Sequence, residues 1–297
     1  MKSAHARASL CFLPLLLALP LAAQEKVTVT EINPHLLLFG TSTGNVIASV
    51  GPDGALLTGT PSAASTPEIS RILAEHTRAQ QRYVVIASED LAHSQGDAGW
   101  VRRGAFVAMQ EIALGTLGGH AMGPPLPLPP RLTRLGVDRP RVSFSDVVSF
   151  DLNGEAVHFI HQPNGSGDAD VLTHFHVASV VYFGEEVPGY EYPLIDAAHG
   201  NLDNLMKTVC SWADPKFHIV PVHGPLMSGS DLKAYCDMLT QVRDSVQRMI
   251  HAHNTEQQIL AAHPTAAYDA RFGHGSVTPD QFVRELVALF SKEPHNA

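Results

Sequence analysis

Two stretches of this sequence set out side chains that could do chemistry. From Gly40 to Gly44 the order Gly-Thr-Ser-Thr-Gly matches G-x-S-x-G, the pattern that presents a nucleophilic serine on a sharp strand-to-helix turn. Farther on, Ser88, Asp90 and His93 place a hydroxyl, a carboxylate and an imidazole within one short polar segment. Such a set could supply a nucleophile with its base, or donate oxygen and nitrogen to a metal ion. The flanking residues decide between these uses. After Gly44 the run Asn45-Val46-Ile47-Ala48 reads as a strand and not a helix, so Ser42 is expected in a Gly-rich turn between strands. Ser88 and His93 lack any feature that fixes a third member of a triad.

The elements that must position these residues are legible from periodicity. Val27 to Thr30, Leu36 to Phe39, Asn45 to Val50 and Ala55 to Thr58 read as successive strands, with a hairpin turn at Pro52-Asp53-Gly54. Ser65-Thr66-Pro67-Glu68 reads as a helix start, with Ser or Thr as cap, Pro in the first turn and Glu reaching back. Ile69, Ile72 and Leu73 give that helix an apolar face, and it leads to a buried strand at Tyr83 to Ala87. Ala105 to Met109 reads as the next strand, and the Pro- and Gly-rich 118–130 as a long loop. Short alternating runs resume from Arg141 to His161, with Asn153-Gly154 as a hairpin turn. Strands are then expected at Ala169 to Thr173, Val177 to Phe183 and Phe217 to Pro221. A helix is expected from Asn201 to Trp212, and a long amphipathic one through Leu232, Tyr235, Leu239, Val242, Val246 and Ile250. Thr278-Pro279-Asp280-Gln281 caps the last helix.

Several of these pieces, in order, resemble the metallo-β-lactamase superfamily from about Val27 to the end of the chain. The Tyr83 strand with its polar loop is similar to the loop that carries His-x-His-x-Asp-His in that family. Asn164-Gly165-Ser166-Gly167-Asp168 sits where a His-bearing turn would, Gly184-Glu185 where Gly-Asp would, and Val222-His223-Gly224-Pro225 resembles the closing turn. The resemblance implies an α/β fold, a four-layer αβ/βα sandwich, formed as one domain over 25–297 with a helical C-terminal part. It also implies a ligand set. The positions of one metal fall on Ser88, Asp90 and Asn164, and those of the other on Ala92, His93 and His223, with Glu185 in the bridging place. Ser88, Ala92 and Asn164 supply neither imidazole nor carboxylate, so the two-zinc centre of the family is expected to be degenerate. Asp90, His93, Glu185 and His223 could still hold one divalent ion, zinc by donor type. Of the other histidines, His120 could fold over the cleft as a replacement ligand. His174 and His176 are expected at the solvated apex of a hairpin, His161 and His199 in structural roles, and His251 and His253 at a helix end.

Whole-chain properties bound the rest. Residues 1–24 read as an export signal: Lys2, His5 and Arg7, then an apolar core from Leu10 to Leu21, then Ala22-Ala23. That core is too short for a stop-transfer helix, so no membrane span is expected and the location is periplasmic or secreted. Removing Lys2 and Arg7 with the signal takes the formal charge from −9 to −11, and no Lys/Arg run is present, which argues against a nucleic-acid partner. Cys210 and Cys236 could pair in an oxidising compartment or remain buried thiols. The functional expectation is an exported protein on a hydrolase-like fold, a pseudoenzyme or altered-activity homologue whose cleft takes a small molecule or a partner. The alternative is a single-metal hydrolase of an ester, lactone or amide that uses His93, Glu185 and His223.

Overall fold

The computed structural model describes residues 25–59, 62–77, 81–86, 100, 105–112, 142–162, 170–195 and 201–291, with backbone alone at 81–86 and 185. Thirteen strands among these residues form two sheets. The first sheet runs in the order β1 (Thr28–Asn33), β2 (Leu36–Thr41), β3 (Gly44–Gly51), β4 (Gly54–Thr58), β5 (Gln81–Ile86), β6 (Phe106–Gln110) and β7 (Val142–Phe144). The second follows the order β13 (Met227–Ser228), β12 (His218–Val220), β11 (Val180–Tyr182), β10 (Asp170–Phe175), β9 (Glu155–Gln162) and β8 (Val147–Leu152).

Side-chain alternation along the strands explains the layering. In β2, Leu36 and Leu38 enter the cluster between the sheets, where Phe159, Val171, Phe175 and Tyr182 meet them from the second sheet. Leu37 and Phe39 point the other way, onto Ile69, Ile72 and Leu73 of helix α1 (Thr66–His76). Strands buried on both faces read as unbroken apolar runs, which is why Leu36 to Phe39 shows no polar alternation. On the far side of the second sheet, Leu172, Val181 and Ile219 pack against α2 (Leu202–Cys210), α3 (Gly229–His251) and α6 (Pro279–Phe290). Helix, sheet, sheet, helix is the four-layer sandwich the sequence called for. Two short helices, α4 (Glu256–Ala261) and α5 (Asp269–Phe272), complete the described C-terminal part.

Local signals held apart from the cap of α1 and the β10-to-β11 hairpin, where β11 begins at Val180 and not at the expected Val177. Asn153 and Gly154 have φ of 55° and 75°, the left-handed pair that a tight hairpin requires. Thr278 accepts from the Gln281 N–H at 3.2 Å at the start of α6. At α1, however, neither Ser65 nor Thr66 accepts a capping bond. Ser62 does so instead, its Oγ accepting from the Ser65 N–H at 3.0 Å and its carbonyl from the Thr66 N–H at 3.1 Å. Glu68 turns to Arg71, 2.8 Å away, instead of reaching back. Strand β10 also runs on to Phe175, because Val171 and Phe175 continue its inward alternation past the expected end at Thr173. His174 is therefore a strand residue and partly buried, not a residue of the solvated apex.

The two cysteines form a disulfide, with their Cα atoms 5.9 Å apart, that ties the end of α2 to α3. None of the described helices is long and apolar enough to cross a membrane.

Candidate functional site

Strand direction gathers one set of loops at one edge. β4 and β5 are parallel, with Thr58 beside Val85, so the chain leaves Ile86 at the end where β4 finishes. β11 and β12 are also parallel, with Tyr182 beside Val220, so Gly184–Glu186 and the His223 turn leave that sheet at a common end. β10 runs antiparallel to β11, with Thr173 beside Tyr182, so β9 finishes and β10 begins at the same end. The edges of the two sheets are joined there. Asn45 donates its N–H to the Val222 carbonyl at 2.7 Å, and the Thr58 and Thr173 hydroxyls lie 3.2 Å apart.

His223 is the candidate ligand whose surroundings are described most fully. It is partly buried, and its turn is clamped from two sides. On one side the buried Asn45 donates its amide to the Pro221 and Gly224 carbonyls, each at 2.9 Å. On the other, Val222 donates to the Val187 carbonyl at 2.9 Å and His223 to that of Pro188 at 3.3 Å. Glycine at position 44 makes room for this clamp. Its φ is 128°, and a Cβ there would meet the Val222 carbonyl at 2.9 Å and His223 Cε1 at 3.6 Å. Sequence reasoning singled out His223 and missed Asn45, since nothing local marks an asparagine that acts 176 residues away.

Beside His223 opens a cavity of about 680 Å³, lined among others by Lys26, Thr28, Thr41, Ser42 and Leu226. Its volume suits a small molecule. Ser42 sits in the turn between β2 and β3, followed by strand, so the elbow geometry that activates a serine is not built. The Ser42 N–H is taken up by the Glu25 carboxylate.

Ser88, Asp90, Ala92, His93, His120, Asn164 and His199 lie outside the described residues, and at Glu185 the backbone alone is described, within the 3-10 turn Gly184–Glu186. The next residue was passed over in the sequence. Glu186 is fully buried and neither of its carboxyl oxygens has a hydrogen-bond partner. Burial, and then the nearby Asp170 carboxylate, push its carboxyl well above the usual range. The Tyr235 hydroxyl donates to the Glu186 carbonyl at 3.2 Å, which fixes the backbone of the turn. Because the folded state keeps the Glu186 proton to higher pH than the unfolded chain, this stabilisation is complete below about 4.5 and is lost as pH rises through the folded value. Glu186→Gln is therefore expected to gain in melting temperature relative to wild type as pH is raised from about 5 to about 9. Parallel curves over that range would show that the carboxyl does not titrate in this way.

The donor chemistry decides what the site can hold. A two-zinc centre needs imidazole, carboxylate or thiolate at each ligand place. Three of the places the resemblance implies, Ser88, Ala92 and Asn164, would offer only a hydroxyl, a methyl group and an amide. Among the described residues no group of three ligating side chains is set to hold a metal.

No protein-family model matches the chain, and no curated protein matches it. Solved structures do. The chain is similar to a metallo-β-lactamase from Pontibacter korlensis, at 15% identity and a TM-score of 0.59, over 72% of this chain and 99% of that one. It is similar to a metallo-β-lactamase from Hirschia baltica, at 13% identity and a TM-score of 0.55, over 72% and 97%. A double mutant of the sec-alkyl sulfatase PisA1 matches at 14% identity and a TM-score of 0.63, over 89% of this chain. The chain spans half the length of that sulfatase, 50%.

Proposed function

We propose, taking the metallo-β-lactamase fold of this chain as premise, that it is an exported protein whose cleft binds a small molecule and carries out no two-zinc hydrolysis. What carries this reading is the donor set. Three ligand places hold Ser88, Ala92 and Asn164, which neither bind zinc well nor activate a water. The cavity beside His223 remains large enough for a small ligand, with Lys26, Thr30 and Ser42 among the polar residues of its wall. Export is supported by the signal-like 1–24 and by the Cys210–Cys236 disulfide, a bond that persists in oxidising compartments.

The competing reading keeps one metal on His93, Glu185 and His223, with Asp90 as a fourth donor. A metal bound only by the folded protein raises its melting temperature with concentration. The test is thermal unfolding of the chain lacking 1–24, with and without zinc, for wild type, His93→Ala and His223→Ala. The proposal expects that any zinc-induced rise survives both substitutions. A rise that both abolish would overturn it in favour of the single-metal enzyme.

A further inference from the structure

Strand β1 carries polar side chains on the face it turns toward the second sheet. Thr28 pairs with Gly40 and Thr30 with Leu38, and Leu38 points between the sheets. Val27 packs the other way, onto the cluster of Leu37 and Phe39, so alternation sets Lys26 on the same face as Thr28 and Thr30. All three line the cavity beside His223, with Leu38, Pro225 and Leu226 as apolar neighbours. Lys26 makes no ion pair among the described residues. The carboxylate next to it in the chain, Glu25, is held elsewhere: Ser42 donates its N–H to one oxygen and Ser62 its hydroxyl to the other. Among the described residues no Asp or Glu lines the cavity. The formal charge of the whole chain is −9, so this wall is opposite in sign to the molecule around it.

We propose that the ligand of this cavity is a small organic monoanion, a carboxylate on a short apolar body, and that Lys26 anchors its head group. The inference rests on the small-molecule reading of the cleft given above and adds the chemical class. An ammonium without a partner forms a charge-assisted hydrogen bond to a carboxylate, and a wall with one such cation and no carboxylate of its own favours a single negative charge. The apolar body has Leu38, Pro225 and Leu226 to lie against. The His223 ring also has no hydrogen-bond partner among the described residues. It offers an N–H to the ligand whichever nitrogen carries the proton. Lys26 is exposed, so the pair is screened and selects between ligands of equal shape by roughly fivefold, the upper range for an exposed ion pair.

The experiment is equilibrium dialysis of the tag-free chain lacking 1–24 against three probes of one shape, 4-phenylbutanoate, 4-phenylbutanamide and 4-phenylbutylamine, at neutral pH and low salt with EDTA present. Wild type is expected to bind the carboxylate roughly fivefold more tightly than the amide, and the amine most weakly. Sodium chloride at about 0.5 M should cut that preference to roughly twofold or less and leave the amide unchanged. The exposed Lys26→Gln should bind carboxylate and amide alike, with the amide held as in wild type. Lys207→Gln, at an exposed position of α2, should keep the preference. Equal binding of carboxylate and amide by wild type would overturn the proposal while the small-molecule reading stood. Binding of none of the three probes would overturn both. A preference that survives Lys26→Gln would also overturn the proposal and would leave Lys26 the role of blocking edge pairing at β1.

Discussion

Replacing Cys210 and Cys236 together by alanine is expected to lower stability by about 3 kcal/mol, among the largest effects of any change to this chain. The bridge spans 26 residues and joins the last residue of α2 to the second turn of α3. Without it the unfolded chain regains the entropy of that loop, and for a separation of this size the loss is about 3.5 kcal/mol in the chain-entropy account. Native contacts change less. Cys236 stays within the cluster that holds Leu232, Tyr235 and Leu239 against the second sheet, and alanine fits there with only a small void. At roughly 2–4 °C per kcal/mol the melting temperature should fall by roughly 6–12 °C. Reductant should lower the wild type to the same value and leave the double variant unchanged. A wild type insensitive to reductant would show that the bond contributes nothing in solution.

The second large effect is expected at Asn45. Its side-chain amide satisfies two carbonyls of the turn that holds His223, while its backbone N–H satisfies a third. Asn45→Ala strips partners from the Pro221 and Gly224 carbonyls, of which Pro221 is buried. A buried acceptor left unpaired costs about 1–3 kcal/mol, so a loss of about 2 kcal/mol is expected in the midpoint of urea unfolding. Asn45→Asp should be worse than alanine at neutral pH, because a carboxylate would then face two carbonyl oxygens with nothing to donate. The aspartate variant should recover towards the alanine value as acid protonates it. If Asp is tolerated as well as Ala at neutral pH, the clamp is not held by these hydrogen bonds.

How far the sequence announced this structure depends on the range of the signal. Leu36 to Phe39, the Asn153-Gly154 turn and the spacing of Leu232, Tyr235, Leu239 and Val242 are short-range patterns, and each appears where expected. The helix start at Thr66 was found but not its cap, because Ser62 is an equally good acceptor one turn earlier. His174 and His176 read as a hairpin apex, yet Phe175 continues the inward alternation and keeps His174 in the strand. The disulfide was undecidable in advance, since a 5.9 Å approach depends on how two helices pack. The His223 turn is marked by local residues, whereas the surroundings of Glu186 and Asn45 depend on neighbours distant in sequence. The polar loop with Ser88, Asp90 and His93 lies outside the described residues, so its part in the cleft rests on residue types.

Turnover is the most direct test of the central claim. The tag-free chain lacking 1–24, supplied with zinc at neutral pH, should be assayed on a β-lactam, an aryl ester and a lactone beside its His223→Ala variant. The account predicts no hydrolysis above buffer for any of the three and no difference between the two proteins. Hydrolysis of any one of them by the wild type that His223→Ala abolishes would contradict it.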